Sequence, residues 1–362
     1  MKGIRIACVG DVMCGESFYC MGDGVATSLA RYGRDFLYGD VADYIRSHDV
    51  AMCNVECAIS DVGKNELSLR SSQMRASPEA AEHLAAWGIN IANVANNHIM
   101  EHGRAAAVDT VENLERSGIS TIGAGADGTF EGGIQVAELE FEGRRVAFIG
   151  ACFCREKYAY SGGAQFYEIL ETVRALREQG KIVVFSVHWG DELMDRPSIR
   201  QRKKAAVLAQ SGASVIVGHH PHVLQGIEEM EGALAAYSLG NFIFSGMHPQ
   251  THWSVILSVT VSEGGVEYDY RLIEKDGEHR PRFVTGEEKV ELITEVERRC
   301  ALLSSEVGDY EYDREYRAER KSSMVEAKHE FRLKVIKKMH RMRPVYVPQV
   351  LLRPVQRRLG IW

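Results

Sequence analysis

The stretch Ser214-Val-Ile-Val-Gly-His-His-Pro-His-Val223 passes from an apolar run into three histidines within four residues. Neutral imidazole is the commonest protein ligand for transition metals, and a stiff segment holds ligands in place. Val215, Ile216 and Val217 are β-branched and read as a buried strand. Gly218 is the expected turning point of the backbone, and Pro221 fixes φ and removes a donor. If the segment stays extended beyond the strand, His220 and His222 point one way and His219 the other. His220 and His222 are then the expected ligands, with His219 beside them or at the surface.

The same arrangement recurs along the chain: a short apolar strand, then a polar side chain. Residues 4–9 lead to Asp11. Asp49-Val-Ala-Met-Cys-Asn-Val-Glu56 places Asn54 and Glu56 at alternate positions, on one face. Residues 89–94 run into Asn97 and His98, with Glu101 just beyond. Lys181-Ile-Val-Val-Phe-Ser-Val-His188 ends on an imidazole, with Glu192 downstream, and residues 234–237 run into Asn241. Each has a plainer meaning alone: Asp11 and Asn241 as turn residues, Glu56 as a surface charge, His188 as a core imidazole. Repetition of one placement at several strand ends favours a shared site. Mixed oxygen and nitrogen ligands suit Mn, Fe or Zn better than Ca or Mg. The set is large enough for one or two divalent ions sharing a carboxylate, an arrangement that clamps attacking and leaving oxygens in phosphoryl displacement.

Residues so far apart meet only if their strands lie side by side. Helical periodicity over 78–87, 104–117, 167–178 and 199–211 alternates with the strands, the pattern of βαβ units that gather ligands beyond the carboxyl ends of a sheet. Two antiparallel pairs are expected, 134–141 with 144–150 and 253–261 with 265–273. Loops 61–77, 150–165 and 245–252 would border a substrate pocket, and Arg70, Arg75 and Arg155 within them read as solvated surface residues. Beyond residue 275 the chain becomes charged, with helical patterns over 285–305 and 318–340, and Pro344, Pro348 and Pro354 are expected to break the final segment.

With 362 residues and 45% hydrophobic content the chain can bury a large core. The net charge of −7 argues against nucleic acid as a partner. From Glu315 to Trp362, thirteen Lys and Arg face four Glu, so the chain is acidic with a basic tail. Eight cysteines without paired spacing read as cytosolic thiols, and no apolar run is long enough for a signal peptide or membrane span. A cytoplasmic location is expected. The basic, partly apolar stretch 332–343 offers a weak peripheral contact with the inner membrane face, although a solvated or docked helix fits it better.

Taken in order, Gly10-Asp-Val-Met13, Asn54-Val-Glu56, Asn96-Asn-His98, His188-Trp-Gly-Asp-Glu192, Gly218-His-His-Pro-His-Val223 and Tyr237-Ser-Leu-Gly-Asn-Phe242 resemble the CapA family of poly-γ-glutamate capsule biosynthesis proteins. That family is similar in turn to the calcineurin-like metallophosphoesterases. The resemblance implies an α/β fold, a sandwich of two mixed β-sheets flanked by helices over residues 1–275, with a largely helical C-terminal extension over 276–362. It implies Asp11 and His222 as ligands of a first metal site and Glu56 as the bridge. Asn97, His188 and His220 would hold a second ion, and His98, oriented by Glu101, would donate the proton to the leaving oxygen. Asn54, Glu192, His219 and Asn241 would support the ligands or meet substrate. The implied activity is phosphoester hydrolysis by metal-activated water in capsule, surface polysaccharide or poly-γ-glutamate metabolism, on an anionic small molecule or polymer and alongside other capsule biosynthesis proteins. Two other readings stand beside it, a non-catalytic component of capsule polymer synthesis or export and a hydrolase of γ-glutamyl amides. One departure matters: the wider superfamily has Asp-x-His in its first motif, whereas this chain has Met13, and a thioether does not replace imidazole for such cations.

Overall fold

A computed structural model describes residues 3–33, 35, 39–125, 127–154, 166–246, 248–262, 265–304 and 308–358. Most of the expected loop 150–165, including Arg155, lies outside the described residues, as do positions 247, 263 and 264.

The strands follow the apolar runs. In chain order they are β1 (Ile4–Val12), β2 (Val50–Val55), β3 (Ala58–Ile59), β4 (Arg75–Ala76), β5 (Ile91–Asn93) and β6 (Ser120–Ile122). Next come β7 (Val136–Phe141), β8 (Arg144–Cys152), β9 (Ile182–His188), β10 (Val215–His219), β11 (Ile227–Met230) and β12 (Ala233–Ala236). The last are β13 (Asn241–Ile243), β14 (Trp253–Ser262), β15 (Gly265–Lys275) and β16 (Pro281–Phe283). One large sheet runs β16-β15-β14-β1-β2-β5-β6, with β13 also pairing to β1; the other large sheet runs β11-β12-β10-β9-β8-β7, and β3 and β4 form a separate parallel pair. Both large sheets are mixed: β1, β2, β5 and β6 are parallel, as are β8, β9, β10 and β12, and antiparallel strands complete one edge of the first sheet and both edges of the second. The helix-flanked sandwich expected from the sequence is the observed fold.

Alternation along each strand sorts the core into layers. Ile6, Cys8, Met52 and Ile91 of the first sheet meet Phe148, Val184, Val215 and Val217 of the second between the sheets. On the outer faces, Ala7, Val9, Ala51 and Cys53 pack under helices Glu79–Ala86 and Arg104–Arg116, while Ile149, Phe185 and Ile216 pack under helices Phe166–Glu178 and Ile199–Ser211. Helix Ile199–Ser211 begins with a capping box, Ser198 and Gln201 each satisfying the other's backbone N–H, and ends at Gly212 in the left-handed region.

Gly218 differs from the sequence expectation in its reason, and Gly10 shares that reason. Gly10 and Gly218 lie inside strands rather than ending them. A Cβ on Gly10 would stand 2.0 Å from the Gly240 carbonyl oxygen, and one on Gly218 would stand 1.9 Å from that of Tyr237. These positions need glycine for close backbone approach, not for a turn. Arg75, expected at the surface, is buried in β4, where its guanidinium donates to the carbonyls of Ser60 and Val62 at 3.2 and 2.9 Å. Arg70 is exposed.

The C-terminal segment is packed onto the sandwich. Helix Gly286–Ala301 sends Leu292 and Val296 into the inter-sheet core, and the buried Arg299 donates to the Leu224 carbonyl. Helix Asp309–Lys338 starts well before the expected residue 318; Tyr312 Oη donates to the Pro197 carbonyl at 2.7 Å, and Tyr316 Oη to Asp191 at 3.0 Å. Farther on, Val335, Met342, Tyr346 and Val350 pack with Phe18, Met21 and Leu69, while Lys338 and Arg341 pair with Asp23. The extension therefore crosses the loops that follow β1, β3 and β9. Contrary to expectation, the final segment is one helix, Val347–Arg358, despite Pro348 and Pro354; Pro348 falls in the first turn, where the missing N–H would have had no intrahelical partner. No helix among the described residues is long and apolar enough to cross a membrane.

Candidate metal centre

The parallel strands of both sheets deliver their C-terminal ends to one place. Asp11 sits near the end of β1, Glu56 follows β2, Asn97 and His98 follow β5, His188 ends β9, and His219, His220 and His222 surround the end of β10. Asn241 starts β13, whose pairing sets it opposite Asp11. The ligand atoms of Asp11, Glu56 and His188 all lie within 4.8 Å of one another, as do those of Glu56, His220 and His222. Asn97 joins them, its Oδ1 accepting from His188 Nε2 at 3.0 Å.

The histidine loop differs from an extended continuation. His220 and His222 have φ of 96° and 60°, so the chain coils around Pro221 in the left-handed region, which costs a non-glycine residue energy and is a feature of functional sites. Strand β10 meanwhile continues through His219, which shares the inward face of Val215 and Val217. His219 is only 1% exposed, its Nδ1 3.1 Å from Asp11 Oδ1, so it lies buried beside Asp11 and not at the surface. The backbone N–H of His220 donates to Asp11 Oδ2 at 3.2 Å.

A lattice of asparagines fixes the carboxylates. Asn54 Nδ2 donates to Asp11 Oδ1 at 2.9 Å and faces His188 Nδ1 at 3.3 Å, and Asn54 Oδ1 accepts from Asn93 Nδ2 at 3.2 Å. Asn96 donates to the Val55 carbonyl and accepts from the backbone N–H groups of His98 and Ile99. Sequence reasoning gave neither Asn93 nor Asn96 a role; an asparagine inside a buried strand, as Asn93 is, was the available signal.

Around the opening, His98 Nδ1 lies 2.7 Å from Glu101 Oε2, and Gln73 donates to the other Glu101 oxygen at 2.6 Å. Burial alone would raise the Glu101 carboxyl, but its contacts with His98, His102 and Gln73 keep it below its ordinary value. His222 Nδ1 faces Asn241 Oδ1 at 2.9 Å and Asp11 Oδ2 at 3.4 Å. Burial disfavours the charged His222 ring, yet Glu56 and Asp11 outweigh it and push its pKa up to about 10. The Asp11 carboxyl is raised by burial and lowered more strongly by His219 and His222, ending well below the usual carboxylate range. Glu192 is exposed at the rim, and Met13 is fully buried in the outer core of the first sheet, where its thioether serves packing.

Glu56 is the anomaly. It is fully buried, neither carboxylate oxygen has a hydrogen-bond partner, and His222, His188 and His98 stand 3.5, 3.6 and 4.0 Å from Oε1. Burial holds its carboxyl well above the ordinary value, and His222 offsets only part of that. An orphaned carboxylate ringed by imidazole nitrogens fits a divalent cation. Asp11, Glu56, Asn97, His188, His220 and His222 are the residues that could hold one or two ions.

Fold and site define a class: a two-sheet α/β sandwich, flanked by helices, whose strand ends enclose a candidate metal centre. Residues 5–246 match the family described as "Bacterial capsule synthesis protein PGA_cap", and the chain belongs to that family. It is 27% identical over 278 residues to the capsule biosynthesis protein CapA of Bacillus anthracis, covering 72% of this chain and 65% of that one. It is 28% identical over 267 residues to the PGA biosynthesis protein CapA of Bacillus subtilis strain 168, covering 71% and 67%. The matched region thus spans about two thirds of each relative. A crystal structure described as a novel phosphatase, from Mycoplasma pneumoniae, is similar with a TM-score of 0.48 at 13% identity, covering 76% of this chain and 94% of that one.

Proposed function

We propose that this protein is a metal-dependent phosphoester hydrolase serving the synthesis of an anionic surface polymer, a capsule of poly-γ-glutamate or polysaccharide. The observation that carries the reading is Glu56, a buried carboxylate without hydrogen bonds at the meeting point of imidazoles from both sheets. A bound divalent metal supplies Lewis acidity and makes water a nucleophile near neutral pH. The protein's own groups do the rest. Asn54, His219 and the His220 N–H fix the Asp11 carboxylate, and Asn241 fixes the His222 ring. Glu101 holds His98 through Nδ1 and leaves Nε2 turned toward Glu56, the atom from which a proton reaches a leaving oxygen. The names of the Bacillus relatives support the polymer context. Burial of Met13 where the wider superfamily has an imidazole favours a second reading, a non-catalytic component that keeps its metal for structure.

Metal analysis and a phosphoester panel, run on the wild type and His98→Ala, separate the two. Hydrolysis predicts a fall in kcat of about 10²–10⁴-fold for His98→Ala with metal content unchanged. Bound metal without His98-dependent turnover would reject the hydrolase and favour the structural role.

A further inference from the structure

One sulfur lies close enough to the cluster to belong to it. Strand β8 runs parallel to β9 with Cys152 opposite His188, and the next backbone N–H, that of Phe153, donates to the His188 carbonyl at 2.8 Å. The chain thereby carries Cys154 past the strand end and alongside the imidazoles. Its Sγ lies 3.7 Å from the His188 carbonyl oxygen, and Sγ, a His188 nitrogen and a His220 nitrogen all fall within 4.8 Å of one another. Both histidines are buried to 1% exposure or less, whereas Cys154 is half-buried. The same two histidines each form a triple with Glu56, whose oxygens are buried without hydrogen bonds. The sulfur and the two imidazoles therefore come together from three strand ends, and each imidazole also stands near the orphaned carboxylate. Metal bonds of about 2.3 Å to sulfur and 2.0–2.2 Å to nitrogen or oxygen span such separations after small inward shifts of the side chains.

We propose that Cys154 is a thiolate ligand of an ion held by His188 and His220. This rests on the metal-centre reading above and goes beyond it, because it fixes which cation the site prefers. Binding exchanges the thiol proton for the metal and releases that proton to solvent. A thiolate selects zinc, cobalt or iron over magnesium, calcium and manganese.

The test is a cobalt(II) titration of the full chain after chelator treatment, followed by absorption spectroscopy. The wild type should show visible ligand-field bands together with an intense near-ultraviolet sulfur-to-cobalt charge-transfer band. Cys154→Ser, a near-isosteric change at a half-buried position, should lose the charge-transfer band and keep the visible bands; Cys152→Ser should keep both. Visible bands without the sulfur band in the wild type, or a sulfur band that survives Cys154→Ser, overturns the assignment and leaves the metal centre standing. No cobalt absorption in any variant overturns the metal centre and this proposal together.

Discussion

If Glu56 exists to meet a cation, the protein without metal should be better off without its charge, and Glu56→Gln tests this. The carboxylate is fully buried with no hydrogen bond, and its nearest partner is the His222 ring at 3.5 Å. Burying an uncompensated charge costs several kcal/mol, and His222 returns part of that. The neutral isostere should therefore stabilise the metal-free protein by about 2 kcal/mol. An unfolding entropy of roughly 2.1 cal/mol/K per residue over 362 residues makes each kcal/mol worth about 1.3 °C, so Tm should rise by about 3 °C. The sign of the pH dependence follows from the raised carboxyl. Below the unfolded value of 4.5 Glu56 is neutral in both states and the advantage vanishes; it grows as pH rises toward neutrality. With metal present the order inverts, because at a hundred times Kd the wild type gains about 2.7 kcal/mol and the variant little of it. Scanning calorimetry at pH 4 and pH 7, with chelator and with zinc, reads all four conditions. A lower Tm for the metal-free variant at pH 7, or an equal metal-induced rise in both proteins, would refute the reasoning.

Glu101→Gln should leave metal content unchanged and lower kcat by about tenfold or more, since it loosens the ring that delivers the proton; an unchanged kcat would remove Glu101 from the account. Gly218→Ala should cost about 3 kcal/mol in denaturant unfolding, because a Cβ would stand 1.9 Å from the Tyr237 carbonyl oxygen and 2.6 Å from Trp189 Nε1; a cost under about 1 kcal/mol would show that the strands part easily. Arg298 first, then Arg299, hold the Glu295 carboxyl down to about 2 against a smaller opposing effect of burial. Its stabilisation is present above the ordinary value of 4.5 and is lost as pH falls toward 2, so Glu295→Gln should cost about 1 kcal/mol at pH 7 after allowing for solvent screening, and nothing near pH 2.

The strands that carry the site were legible because each is a β-branched or alternating run ending in a polar residue, as β9 ends at His188 and β10 at His219. Strands β13 and β16 were not, since Asn-Phe-Ile and Pro-Arg-Phe carry no such run and their pairing is imposed by neighbours rather than by local pattern. The direction of His219 escaped because an extended segment would turn it away from His220 and His222, while positive φ at those two winds the loop back on itself. Arg75 read as a surface arginine because composition says nothing of the Ser60 and Val62 carbonyls waiting for its guanidinium. Cys154 was overlooked although it obeys the rule that exposed His188, a ligand-type side chain just past a buried strand. Pro354 lies within the helix Val347–Arg358, where local rules predict a break.

The most direct measurement is anomalous diffraction, at the absorption edge of the metal found in the purified protein. The account predicts a peak between Glu56, Asn97, His188 and His220, and its loss in crystals of Glu56→Gln. A map flat at that position, or a peak unaffected by the substitution, would contradict it.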